Sequence, residues 1–322
     1  MKIVYLKPKS GFKALLRSDT LWGNICWAVR MVYGENELEK MIENQSFTIS
    51  STFPYVEKNG EKIALFPTPM IIGEPKSAPT NASYDELAKW MTTRKKEKKR
   101  NTLISQILFE KLINGEVTID SLDEQILLPS IKSNAVTRNK IDRLQGGTYK
   151  ADGESGQLFH VDEFHVVGSD EEASYGLYFL AQGHTTMLEG ALRLLHHIGI
   201  GGDRNVGKGN FSIDIQDFSL RIPANPSAVT NLSMLFPTED EIAHFSKDKE
   251  KTSYQLEVRQ GKLGFLNFKN VQKSPLLYFK EGSVLPYIQN HQYGQNPKVA
   301  TSTKLDFQVV QYGQGFMIPM NI

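Results

Sequence analysis

A helix that stops at a glycine-rich loop and leads straight into a strand constrains this chain more than any other stretch of it. Leu188, Ala191, Leu192, Leu195 and Ile198 recur at three- and four-residue spacing, the period of one apolar helix face, and the pattern ends at Gly199. Downstream, Phe211, Ile213 and Ile215 alternate with polar residues, the period of a half-buried strand. Between them Gly199, Gly201, Gly202, Gly207 and Gly209 surround Arg204 and Lys208. Gly202 to Lys208 spells G-x-x-x-x-G-K, the start of a nucleotide-binding loop. Such a loop needs a Ser or Thr after the lysine to hold Mg²⁺, and that position is Gly209. It must also open a helix, so that the helix N-terminus faces the phosphates, whereas here the helix comes first. The dinucleotide pattern G-x-G-x-x-G fails as well, because its third glycine position is Arg204. The glycines still permit positive φ and close backbone approach to a large ligand, and Arg204 and Lys208 add positive charge. An anionic polymer, a partner surface and a long turn all fit these residues.

The rest of the chain supplies a context for this unit. Ile3 to Lys7 reads as a strand. Ser18 and Asp19 are good N-caps for a helix whose apolar positions Leu21, Trp22, Ile25, Cys26, Val29, Val32 and Tyr33 fit a 3.6 period and which closes at Gly34. Phe47 to Thr52 and Lys62 to Phe66 read as two further strands. A region from about 68 to 174 then reads as an insertion, with prolines at 69, 75 and 79, a basic run, a helix around Thr102 to Ile113 and a Gly-rich hairpin-like stretch. Joined across the insertion, the elements give βαββαβ, the ferredoxin-like or RRM-like arrangement. Prolines at 223, 226 and 237 mark a connector after residue 222. Beyond it, Tyr254 to Val258, Phe265 to Phe268, Ser283 to Pro286 and Leu305 to Val310 carry strand patterns. The expected fold is therefore α+β, with two ferredoxin-like domains at 1–222 and 223–322 and the insertion in the first.

At 322 residues the chain is long enough for two domains, and its net charge of +1 excludes a basic, tail-like nucleic-acid binder. A nucleic-acid site must come from local clustering. The single cysteine, Cys26, permits no intrachain disulfide and reads as a buried spectator beside Trp22 and Val29. The N-terminal residues read as a short strand rather than a signal peptide, and no apolar run approaches the ~20 residues that span a bilayer. The expected location is the cytoplasm.

Catalytic and metal signatures are weak. His196 and His197 are adjacent on a helix and point about 100° apart, so they do not easily share an ion. His160 and His165 lie at odd separation on a strand pattern, which places them on opposite faces. Tyr149, Lys150, His160 and His165 leave room for a metal-independent ribonuclease, although no spacing rule selects them. Asp170, Glu171 and Glu172 read as a solvated turn or helix cap. Basic residues carry more. Arg94 to Arg100 has six Lys or Arg in seven positions and reads most simply as a solvated face. Arg138, Asn139, Lys140, Ile141, Asp142 and Arg143 combine cations with an amide, an acid and an apolar residue just before Gly146, Gly147 and Thr148. That mix suits single-stranded RNA, where charges hold phosphates and polar groups read splayed bases.

Ser18 to Cys26, the segment Arg138 to Arg143 followed by Gly156-Gln157-Leu158-Phe159, and the loop from Gly199 to Phe211 together resemble the RAMP proteins of CRISPR systems. Lys280 to Leu285 and Tyr312-Gly313-Gln314-Gly315-Phe316 resemble late strands of the same group. In this order the segments are most similar to the fourth subunit of the type III-A, or Csm, interference complex. The resemblance implies a non-catalytic scaffold in antiviral defence, with no metal and no cofactor. It implies that the chain holds the repeat-derived 5′ tag of the guide RNA and bridges the large polymerase-like subunit to the backbone subunit that cuts target RNA. The residues it assigns to RNA are Arg138, Asn139, Lys140, Arg143, Gly201, Gly202, Arg204, Gly207, Lys208 and Gly209. The alternative is a guide-RNA processing endoribonuclease of the same superfamily; those enzymes carry the glycine loop near the C-terminus, whereas more than a hundred residues follow it here. The equivalent type III-B subunit does the same job as the scaffold.

Overall fold

A computed structural model describes residues 1–71, 83–89, 102–119, 129–142, 144, 146–148, 158–168, 170–263, 271–302, 305 and 308–322. The first part of the chain runs β1 (Lys2–Pro8), α1 (Ser18–Tyr33), α2 (Glu35–Glu43), β2 (Phe47–Ile49), β3 (Phe53–Lys58) and β4 (Glu61–Pro67). It continues through β5 (Leu103–Ser105), α3 (Gln106–Ile113), β6 (Ser130–Asn139), β7 (Ile141–Asp142), β8 (Gly147–Thr148), β9 (Leu158–Val167), β10 (Ser174–Gly183), α4 (Thr186–Ile198) and β11 (Phe211–Asp217). The remainder holds β12 (Ala228–Asn231), α5 (Glu239–Phe245), β13 (Leu256–Arg259), β14 (Leu276–Phe279), β15 (Val284–Pro286), β16 (Lys298–Val299), β17 (Val309–Val310) and β18 (Met317–Met320). Antiparallel pairing organises the mixed α/β chain. The main sheet runs β11-β1-β10-β3-β4-β5, with β2 also pairing β10, and a second sheet runs β15-β12-β18.

Side-chain alternation builds two cores on the main sheet. Val4 and Leu6 of β1 and Leu177, Phe179 and Ala181 of β10 point to one face, where α1 and α4 pack. Ile3 and Tyr5 of β1 and Tyr178 and Leu180 of β10 point to the other, where they meet Phe109, Leu112 and Ile113 of α3 and the sheet β15-β12-β18. Cys26 lies at the edge of the helical core, and burial pushes its thiol pKa up.

Several elements differ from the sequence expectation. The central strand β10 follows the insertion in a stretch where the sequence reading places no strand; it is apolar on both faces because both are covered, so it lacks the alternation that marks a half-buried strand. It takes the third-strand place expected for Lys62 to Phe66. That segment instead forms a hairpin with β3 across Asn59 and Gly60, whose φ values of 53° and 79° suit a tight two-residue turn. The strand expected over Phe47 to Thr52 stops at Ile49. The Ser50 amide bonds the Leu180 carbonyl, the Ser51 amide bonds that of Leu232, and a corner results. Ser18 and Asp19 are not caps. Ser18 Oγ accepts the Met234 amide at 2.9 Å and Asp19 receives two hydrogen bonds from Arg259, so both tie α1 to the C-terminal part of the chain. The helix around Thr102 to Ile113 begins only at Gln106, with Ser105 as its cap. Val32 and Tyr33 are exposed.

The insertion read over about 68–174 contains β5 and α3, which extend the main sheet and cover its second face, and a long hairpin of β6 and β9 paired from Ser130↔Val167 to Asn139↔Leu158. Its base is fixed by reciprocal backbone hydrogen bonds between Phe12 and Phe164, at 3.1 and 2.8 Å. In the C-terminal part, β13 and β15 fall where strands were expected. Only Val309–Val310 of the 305–310 pattern forms a strand among the described residues, and Phe265 to Phe268 lie outside them. No helix among the described residues is long and apolar enough to cross a membrane.

Candidate nucleic-acid interface

The loop after α4 is shaped by backbone geometry. Gly199, Gly201, Gly207 and Gly209 have φ values of 82°, 93°, 81° and 70°, and Asp203 is left-handed at 60°. The turn closes on itself through Ile200 N–H to Gly209 O, at 2.8 Å, and through Val206 and Lys208 N–H to Asp203 O. It is pinned to its surroundings by Gly209 N–H to Gly11 O, at 2.9 Å, and by Gly201 N–H to Oδ1 of Asn24 on α1, at 3.0 Å. A phosphate-binding loop keeps its amides free for the ligand. Here the amides of Val206, Gly207 and Lys208 in the G-x-x-x-x-G-K segment, and those of Ile200, Gly201 and Gly209 beside it, donate to protein acceptors and are taken from any phosphate.

The structure brings the two basic motifs of the sequence together. Arg138, near the end of β6, places Nη1 2.7 Å from Asp203 Oδ2, and Lys13 Nζ lies 3.1 Å from Asp203 Oδ1. Lys208 Nζ sits 2.7 Å from Oε1 of Glu163 on β9, an oxygen that His165 Nε2 also approaches at 3.3 Å. The two acids differ in setting. The Glu163 side chain is 7% exposed and fills the space beside Gly11, where a Cβ would collide with it. The Asp203, Arg138 and Lys13 side chains are 21%, 22% and 45% exposed. The more buried Glu163 anchors the hairpin on the loop, while Asp203 keeps a partly exposed side and its pair with the largely solvated Lys13 contributes about 0–1 kcal/mol.

What remains available to a ligand is narrower than the sequence list. Arg204 is exposed, and its guanidinium has no hydrogen-bonding partner among the described residues. Phe159 lies directly opposite Arg138 in the β6–β9 register, so the two share a face, and the residue is 45% exposed. Val206, two residues after Arg204 in the loop, is exposed. Asn139 is engaged with Thr148, and Lys140 is exposed on the same hairpin. Gly202 is exposed in the loop. Arg143, Tyr149, Lys150, Gly156, Gln157 and the Arg94 to Arg100 run lie outside the described residues. An exposed aromatic ring flanked by cations is the arrangement on which single-stranded bases stack while their phosphates are held.

Sequence reasoning missed Asp203, Glu163, Lys13 and Asn24. Asp203 was visible as the one acid among the loop glycines; nothing in the sequence assigns partners to the other three. The histidines behave as separate groups: His160 bonds Thr137 on one face of the hairpin, His165 meets Glu163 on the other, and His196 Nδ1 accepts the Ile213 amide. Asp170 is a turn residue that accepts from Lys58 and the Glu172 amide, an arrangement that holds its carboxyl below the usual range. Among the described residues no three His, Cys, Asp or Glu side chains converge as metal ligands would.

Residues 7–212 match the model of the RAMP superfamily, and residues 224–320 match that of the CRISPR Csm4 C-terminal domain. The Csm4 protein of Thermococcus onnurineus (strain NA1) is 26% identical over 249 residues, covering 74% of this chain and 76% of that one. Among solved structures, the chain is similar to one in a Csm3-Csm4 subcomplex of the type III-A CRISPR-Cas interference complex, with 18% identity, full coverage of both chains and a TM-score of 0.61. It is also similar to one in a Csm1-Csm4 cassette with cA4, with 19% identity, coverage of 99% and 97%, and a TM-score of 0.58. With one model spanning the glycine loop and the strands that carry it, and the second taking up the chain just after β11, the chain belongs to the RAMP superfamily as a Csm4-type member.

Proposed function

We propose that this chain is the non-catalytic, RNA-binding scaffold subunit of a type III-A CRISPR effector complex in the cytoplasm, holding the 5′ repeat-derived tag of the guide RNA. It bridges a large, Csm1-type subunit to the Csm3-type backbone. The observation that carries the reading is the convergence of Arg138 and the 199–209 loop, far apart in sequence, on one surface with the exposed Phe159 and Arg204. The relatives solved with Csm1 and with Csm3 support the two protein partners. Cations hold phosphates and a ring stacks a base, and neither task requires a catalytic group.

The same reading makes residues 1–222 and 223–322 two ferredoxin-like RAMP domains. In the first, the order β11-β1-β10-β3 with α1 and α4 on one face supports it, since this is the 4-1-3-2 order of a βαββαβ sheet. In the second, the three-stranded sheet centred on β12 is the corresponding element.

In the reconstituted complex, replacing Arg138 and Arg143 together with alanine should lower guide-RNA occupancy by at least about tenfold, since each charged hydrogen bond contributes about 1.5–3 kcal/mol. Far-UV circular dichroism should stay unchanged. Full occupancy in the double variant would remove this surface from the RNA site.

A further inference from the structure

We propose that Asp203 is a specificity-determining residue of this surface: its carboxylate stands where an RNA phosphodiester would stand, and withholds Lys13 and Arg138 from RNA that makes no further contacts there. The inference rests on the RNA-binding reading above and deepens it.

The geometry is that of an occupied anion site. Asp203 Oδ1 faces Lys13 Nζ at 3.1 Å and Oδ2 faces Arg138 Nη1 at 2.7 Å, so one anion bridges two cations as a phosphate with two free oxygens does. Lys13 comes from the β1–α1 connection, Arg138 from the hairpin, and Asp203 from the loop between α4 and β11, so the site assembles only in the folded chain. The position is accessible, because all three side chains are partly exposed. It also adjoins the other elements of a single-strand site: Phe159 lies directly across from Arg138, and Arg204, whose guanidinium has no partner among the described residues, follows Asp203 in the chain.

The backbone shows that the carboxylate is placed rather than incidental. Asp203 holds φ 60° and ψ 22°, a conformation that few non-glycine residues adopt, in a loop that otherwise uses glycine for positive φ. Its carbonyl accepts the Val206 and Lys208 amides, which fixes the backbone from which the side chain reaches Arg138 on the hairpin. Glu163 is more deeply buried than Asp203, and its pair with Lys208 also joins loop to hairpin.

The consequence is a gated pair of cations. A non-cognate single strand meets Arg204 alone, whereas RNA that also stacks on Phe159 gains enough from that contact to displace the carboxylate and engage Lys13 and Arg138.

The test uses the full-length chain and Asp203→Asn, which removes the charge, keeps the side-chain shape and tolerates a left-handed backbone. Two probes are titrated across a salt series: oligouridylate, and RNA of equal length carrying the guide's own 5′ tag. The variant should bind oligouridylate about tenfold more tightly at low salt, with a log K versus log salt slope steeper by about one to two, while tag RNA gains less. Adding Arg138→Ala to Asp203→Asn should abolish the gain. An unchanged slope in a variant that melts like the wild type overturns the proposal. So does weaker binding of both probes by a variant that melts earlier, which makes Asp203 a clamp. If the wild type fails to prefer tag RNA but Asp203→Asn still gains oligouridylate affinity, the masked phosphate site stands and the tag reading falls. If neither protein binds either probe, both fall.

Discussion

Gly209→Ala is expected to destabilise the protein by about 3–5 kcal/mol, whereas Gly207→Ala, two residues earlier in the same loop, should cost about 1 kcal/mol. Both glycines have positive φ, 70° and 81°, so the left-handed penalty of an L-residue is common to the two. Their surroundings are not. A Cβ at 209 would run into the backbone carbonyl oxygen of Ile200, and backbone cannot swing aside as a side chain can. Relief requires breaking the Ile200–Gly209 hydrogen bond, the Gly209–Gly11 hydrogen bond, or both, leaving unpaired peptide groups behind. At 207 nothing lies within 4 Å of the added methyl. Guanidinium unfolding of the two variants reads the difference directly. Equal midpoints would mean that the loop relaxes freely and that its glycines serve flexibility rather than close packing.

The second large effect concerns Tyr312, which belongs to the C-terminal part of the chain but is buried in the helical core of the N-terminal part. Its ring packs 5.7 Å from that of Trp22 on α1, its oxygen accepts the Ile49 amide at 2.9 Å, and its hydroxyl donates to the Ile49 carbonyl at 3.2 Å. Burial pushes the phenol pKa far above its ordinary value, so it stays a neutral donor at any working pH. Tyr312→Ala should cost about 3–5 kcal/mol through the cavity left behind, and Tyr312→Phe about 1–3 kcal/mol through the unpaired Ile49 groups. Because Trp22 lines the same site, the alanine variant should also lose near-ultraviolet circular dichroism from that indole. A Tyr312→Ala protein with wild-type stability and an unchanged indole signal would show that the last strands pack on the first half of the chain without supporting it.

The same two regions show what the sequence could and could not reveal. The helices α1 and α4 and the strand β11 were legible because each has one wet face and one dry face, and the apolar period then reports the fold. Strand β10 was hidden by the opposite circumstance. It lies at the centre of the sheet with both faces covered, and continuous apolarity carries no period. The β3–β4 hairpin carries a readable mark in Asn59-Gly60, a pair suited to a two-residue turn. The C-terminal strands are two to four residues long, and their pairing is set by partners distant in sequence, as when Ala228 meets both Pro286 and Met320.

For the interface, the composition of each motif was visible and their meeting was not. Arg138 and Asp203 are 65 residues apart, and no local pattern says that a hairpin folds back onto a glycine loop. The sequence also overstated the free charge. Lys208 and Arg138 both read as phosphate ligands, yet each faces an acid, and only Arg204 in that group stands exposed with no partner for its side chain among the described residues.

The central claim is that this surface holds the guide RNA without cutting it. The most direct measurement incubates the purified chain with end-labelled repeat RNA in EDTA and resolves the mixture on native and denaturing gels in parallel. The account predicts a shifted band on the native gel that weakens when the 5′ tag is deleted, and full-length RNA on the denaturing gel. Cleaved RNA, abolished by changing His160 or His165, would contradict it and make the chain a processing nuclease.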